Sequence, residues 1–155
     1  MLKPLSLIAA LLALCAVASG AQTPSTDDQL AAAEAKWAMK KPQAYEFTFK
    51  LIACCVIPLP PNPAAEPIVF LVENGTPSLV SGAHAAGLKT AYEYNTVEKQ
   101  FAFIRTELAK RHYRMETEYD PELGYPRRVY IKWFQNAADD EYTVTIEGFR
   151  SLARQ

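Results

Sequence analysis

The sequence predicts an α+β domain: helix, three strands, helix, three strands, forming one antiparallel sheet with both helices packed on one face. Three observations predict it. Two stretches carry apolar residues at helical spacing, and most of the others alternate apolar and polar residues in the manner of half-buried strands. Short turn signals separate the strands within each group, and short turns pair strands antiparallel.

The first helix starts at Ser25 or Thr26, where Thr26-Asp27-Asp28-Gln29 matches a capping box. Its Leu30, Ala33 and Trp37 share one face, and Pro42 ends it. Tyr45 to Val56 is the clearest strand, with Tyr45, Phe47, Phe49, Leu51 and Ala53 alternating against Glu46, Thr48 and Lys50. The prolines between Pro58 and Pro63 lack the donor a ladder needs, so that segment reads as an extended loop. Ile68 to Val72 is apolar on both faces and reads as a fully buried strand. Asn74-Gly75 is a strong hairpin signal because both residues tolerate positive φ. Thr76 to Val80 returns, with Pro77 marking an edge strand. Ser81 to Tyr94 follows neither period.

The second helix begins at Asn95 or Thr96 and buries Val97, Phe101, Ile104 and Leu108 as one stripe. Three strands follow, marked by the alternation of Tyr113, Met115, Thr117 and Tyr119, then Val129, Ile131 and Trp133, then Tyr142, Val144 and Ile146. Asp120-Pro121-Glu122-Leu123-Gly124 turns between the first two, and Asn136 to Asp140 between the last two.

Residues 1–21 read as a secretory signal peptide. Lys3 supplies the positive start and Leu5 to Leu14 the apolar run. Small residues allow cleavage after Ala18 or Ala21, and the polar tail from Gln22 favours the second. The run is too short for a permanent span of about 20 residues. Acylation of Cys15 is the weaker alternative, because Leu14 is bulky where lipoprotein processing takes a small residue. The expected organisation is therefore a signal peptide, a flexible leader over residues 22–27, and a single domain over residues 28–150, released to the periplasm or secreted.

The chain has 155 residues and a formal charge of −1, with no clustered basic face for nucleic acid and no polybasic segment for an anionic membrane. No membrane span is expected after signal cleavage. Glycine-rich phosphate loops, serine elbows and paired zinc motifs are absent from the sequence, so no cofactor is expected.

Cys54-Cys55 is the most unusual feature. Alternation places Cys55 on the face of Phe47 and Phe49 and Cys54 on the other. In an oxidising compartment the options are a vicinal disulfide with redox activity, an intermolecular bridge through Cys54, or two thiols. A nucleophile pair would need His84 or His112, and His112 sits where it would simply partner a helix C-terminus. Asp120 and Glu122, or Asp139, Asp140 and Glu141, carry oxygens for calcium, but ordinary turn chemistry explains them better. Exposed members among Tyr92, Tyr94, Tyr125 and Tyr130 would suit a binding surface.

The chain also carries YEFTFKLIACC, VFLVENG, TVEKQFAFI, the segment Tyr119-Asp120-Pro121-Glu122-Leu123-Gly124-Tyr125-Pro126, and DDEYTVTIEGF. In these respects residues 37–149 resemble an uncharacterised family of exported bacterial domains of unknown function (DUF6174-like). The most specific element is the motif at Tyr119, Asp120, Pro121, Gly124, Tyr125 and Pro126. Family members commonly have one residue between their two cysteines, which here are adjacent. The resemblance implies export and this fold outline, and implies no activity. The resulting expectation is a noncatalytic exported domain that binds a protein, peptide or envelope component. The alternative is a thiol-dependent envelope protein, redox or metal-binding, that uses Cys54 and Cys55.

Overall fold

The structure, a computed structural model, describes residues 25–53, 67–83 and 88–152. In chain order it contains α1 (Thr26–Lys40), β1 (Ala44–Ala53), β2 (Ile68–Glu73), β3 (Thr76–Ser81), a short α2 (Leu88–Ala91), a 3-10 turn (Tyr92–Tyr94), α3 (Val97–Leu108), β4 (Arg114–Tyr119), β5 (Pro126–Lys132) and β6 (Glu141–Ser151). The α+β class and the antiparallel sheet are as the sequence predicts. The short α2 and the 3-10 turn occupy the stretch where neither period was visible, and they send Ala91 and Tyr94 into the core.

Ser25 caps α1. Its hydroxyl accepts the Asp28 N–H at 3.1 Å, and the Asp28 carboxylate accepts the Ser25 N–H at 3.2 Å. The box therefore closes on Ser25 and Asp28, one residue earlier than the Thr26–Gln29 pattern. The helix consequently begins at Thr26, within the stretch read as leader. Thr96 caps α3 by accepting the Lys99 N–H at 3.2 Å.

Among the described residues the sheet has six strands in the order β3-β2-β1-β6-β5-β4. Two three-stranded meanders are joined by the long β1–β6 pairing, and every neighbouring pair is antiparallel. β3 is an edge, as Pro77 suggested. Asn74 and Gly75 both take positive φ at the β2–β3 turn, at 49° and 80°.

Leu30, Ala33 and Trp37 of α1 and Val97, Phe101 and Ile104 of α3 form one core with Phe47, Phe70, Val129, Ile131 and Val144 of the sheet. The opposite face of the sheet is open. On it Lys50 lies across from Thr145, Thr145 from Arg128, and Arg128 from Glu118. β2 departs from the fully buried strand expected of it. Ile68, Phe70 and Val72 are buried, whereas Val69 and Leu71 sit half-buried on the open face, because the helices cover only the other side.

Glu98 ties the first helix, the first strand and α3 together. It accepts Trp37 Nε1–H at 3.0 Å and Lys41 Nζ–H at 3.0 Å, and the Tyr45 hydroxyl donates to it at 3.5 Å while accepting the Val97 N–H at 3.2 Å. Partial burial alone would raise the Glu98 carboxyl, but the Trp37 and Lys41 hydrogen bonds outweigh it and hold the group below its ordinary range. A lowered folded-state pKa stabilises the fold above the ordinary glutamate range and loses that contribution as pH falls through the lowered value. Glu98 is partly solvated, so the contribution is under about 1 kcal/mol. Thermal midpoints measured from neutrality down to about pH 3 should therefore fall more steeply for the native chain than for Glu98→Gln. Parallel curves would mean that Glu98 carries no such link.

Candidate functional site

The β4–β5 turn is built by the segment Tyr119 to Pro126. Asp120 Oδ1 accepts the N–H groups of Glu122 at 3.0 Å and Leu123 at 2.7 Å, the local bonding that favours aspartate at a turn start. The Asp120 N–H donates to the Tyr125 carbonyl at 2.8 Å, and the Gly124 N–H to the Asp120 carbonyl at 3.0 Å. Gly124 has φ 86° and lies against the backbone of α1 at Ala33 and Trp37. Lys36 Nζ donates to the Pro121 carbonyl at 2.8 Å, fastening the turn to the helix. Tyr125 stacks on Phe149 with centroids 4.2 Å apart, and Phe149 stacks in turn on Tyr45 at 5.2 Å. Burial, then the neighbouring Asp120 carboxylate, raises the Tyr125 phenol above its ordinary range.

Two bulges lie beside this turn. The register between β4 and β5 shifts at Glu118/Tyr119, leaving Arg127 as the extra residue of β5. Between β1 and β6 it shifts at Glu46/Thr48, so that Gly148 and Phe149 together oppose Phe47. Gly148 takes φ 58° there, and the extra residue leaves Glu147 on the open face and Phe149 against the core. The β5–β6 pairing ends at Arg128 and Thr145, although β5 continues along β4 to Pro126 and β6 along β1 to Ser151. Beyond that last pair the two strands part.

The gap between them is a cleft of about 630 Å³. Glu118, Asp120, Arg127 and Arg128 line one side, Thr145, Glu147 and Gly148 the other, and Tyr125 and Phe149 also contribute. The charges are mostly committed. Arg128 Nη1 is 3.2 Å from Glu118 and 3.7 Å from Glu116, and its guanidinium lies over the Tyr130 ring. Glu147 is 3.5 Å from Lys50. Arg127 is exposed and forms no ion pair with any described residue.

The family model described as "Family of unknown function (DUF6174)" matches residues 29–151. The chain belongs to the DUF6174 family. No curated protein and no solved structure matches it. The DUF6174 match runs from the first turn of α1 to the last residue of β6, so it takes in both helix-and-meander halves and the cleft between β5 and β6.

Within this DUF6174 domain the predicted residues have mixed fates. Cys54, Cys55, His84 and the signal segment with Cys15 lie outside the described residues. Tyr119 stacks on Phe101 at 6.4 Å, and Pro126 is fully buried, so the family-like motif is a docked turn, of which Asp120 and Tyr125 line the cleft. His112 meets the end of α3 through the side chain of Glu107. Its side chain is 4% exposed, its Nε2 lies 3.0 Å from Glu107, and its ring meets Trp133 at 4.5 Å. The turn after α3 folds back on the helix and brings them together. Asp140 and Glu141 lie 3.5 Å and 3.0 Å from Lys132 Nζ, and Asp140 accepts the Phe134 N–H. Among the described residues no His, Cys, Asp and Glu group is placed to hold a metal ion, and no helix is long and apolar enough to cross a membrane. Of the four tyrosines, Tyr94 and Tyr125 are core residues, each stacked inside the aromatic layer under the helices. Tyr92 is exposed, and Tyr130 is half-buried on the open face between Arg114 and Arg128. Sequence reasoning missed Arg127 and Gly148. An isolated glycine within a strand pattern was the available signal for the second.

Proposed function

We propose that this chain is an exported, noncatalytic domain that binds a protein, peptide or envelope component, and that the cleft between β5 and β6 is where it binds. The observation that carries the reading is the cleft itself. Its volume falls in the range of about 300–1,000 Å³ typical of ligand sites. It arises because the sheet parts between two bulges, devices that recur beside functional sites, and Asp120 and Tyr125 of the docked turn reach into it. Export rests on Lys3, the apolar run Leu5 to Leu14 and the small residues up to Ala21.

Two measurements test the reading in the native compartment. The intact mass of the exported chain should correspond to a start at Gln22. A photo-cross-linking side chain at Thr145, in the cleft, should yield a discrete adduct that the same group at Met39 on α1 does not. An unprocessed cytoplasmic chain would overturn export, and identical or absent adducts at the two positions would overturn binding at the cleft. The thiol-dependent alternative predicts instead that Cys54→Ser or Cys55→Ser abolishes the adduct.

A further inference from the structure

We infer that the cleft between β5 and β6 anchors a carboxylate of a peptide ligand on the Arg127 guanidinium. The inference rests on the binding role proposed above and specifies the chemistry of the ligand.

Three observations carry it. The first is the charge balance. The acids that line the cleft already have partners, Glu118 in Arg128, Glu147 in Lys50, and Asp120 in the N–H groups of its own turn. Arg128 is likewise shared between two glutamates. Arg127 is the charged group of the lining with no ion-pair partner among the described residues. A guanidinium presents a planar fork of donors that matches a carboxylate with two parallel hydrogen bonds.

The second is placement. Arg127 is the extra residue of its bulge, and a bulge re-aims the side chain it carries away from the strand's regular alternation. It lines the cleft at the end where β5 and β6 no longer pair. Across the gap, Gly148 itself contributes only backbone to that wall, so the main chain of a ligand can come close at this one residue. The half-buried Phe149 ring adds apolar surface for a neighbouring peptide side chain.

The third observation separates carboxylate from phosphate. The lining holds three carboxylates, Glu118, Asp120 and Glu147, against the guanidiniums of Arg127 and Arg128. Even with its local pairs formed, that balance opposes a doubly charged phosphate more than a singly charged carboxylate.

The carboxylate has two sources, a chain terminus or an acidic side chain, and the test distinguishes them. The full mature chain, labelled with ¹⁵N, is titrated with four probes: N-acetyl-alanyl-tyrosine as free acid, the same dipeptide as amide, N-acetyl-glutamyl-tyrosine amide, and inorganic phosphate. The Arg127 Nε–H and Gly148 N–H signals are followed. The free acid, the glutamyl amide, or both should shift them saturably, and which one binds more tightly names the source. The neutral amide should bind at least about tenfold more weakly, and Arg127→Gln should weaken the acid by a similar factor. Arg127→Lys should fall between, since it keeps the charge and loses the fork. Arg127 is exposed, so the unfolding midpoint should not change in either variant. Equal binding of acid and amide, no saturable shift with either acid, or phosphate binding as tightly as the acids would overturn the inference. Should the Thr145 adduct survive Arg127→Gln unchanged, the cleft binds by other means and only the carboxylate anchor falls. Loss of the adduct from the native chain removes the binding role itself.

Discussion

Gly124→Ala is expected to lower the unfolding free energy by about 2–5 kcal/mol, a large share of the 5–15 kcal/mol typical of a domain. Two costs combine. Gly124 holds φ 86°, where a side chain costs about 1–2 kcal/mol. A Cβ there would also overlap the Ala33 carbonyl oxygen and stand 3.0 Å from Lys36 Cβ. Both neighbours belong to α1, and the nearest atom is backbone, so the helix or the turn must move. Such overpacking costs about 1–3 kcal/mol. Urea unfolding should show an earlier midpoint with an unchanged slope. Glu122→Ala in the same turn is the control, an exposed change expected to stay within about 0.5 kcal/mol. Equal midpoints for Gly124→Ala and the native chain would mean that the turn does not rest on α1.

The turn also shows how much was legible in the sequence. Asp120, Pro121 and Gly124 announced a turn because their backbone preferences are local. Nothing local announced that Gly124 packs on a helix some ninety residues earlier, a contact that exists only once the sheet has formed. The same division runs through the molecule. Tyr45, Phe47 and Phe49 revealed their shared face by alternation, and Val97, Phe101 and Ile104 revealed α3 by their helical spacing. Pairing of β1 with β6 joins the two ends of the domain, and no residue pattern encodes it visibly. The cleft depends on that pairing and on where β5 leaves β6, so it was invisible for the same reason. Which of the four tyrosines would be exposed was not legible, because aromatic residues with a polar tip suit a surface and a core alike. That His112 would bury itself against Glu107 and Trp133 was not legible, because the path of the turn between them is not written in the sequence.

Trp37→Ala should have an effect of similar size, about 3–5 kcal/mol. Trp37 is 3% exposed and is the main aromatic anchor by which α1 holds the sheet. Its ring meets Tyr45 edge-on at 5.4 Å and Phe149 at 6.0 Å, and its Nε1–H donates to Glu98 at 3.0 Å. Truncation to alanine opens a cavity between helix and sheet and removes a donor from a carboxylate. Trp37→Phe separates the two contributions. It keeps much of the ring contact and loses the charge-assisted hydrogen bond, so about 1–3 kcal/mol should go. The hydrogen bond can be checked by a double-mutant cycle. Once Glu98→Gln has removed the carboxylate, Trp37→Phe should cost measurably less than it does alone. Additive losses would place the value of Trp37 entirely in its packing. A Trp37→Ala chain that unfolds within about 0.5 kcal/mol of the native one would show that α1 is not anchored through this residue. Since α1 also supports the Pro121–Gly124 turn through Lys36 and Ala33, a loosened helix should propagate to the cleft wall. The Arg127 and Gly148 signals are therefore expected to broaden in Trp37→Ala before the domain unfolds, which links the packing of the first helix to the proposed site.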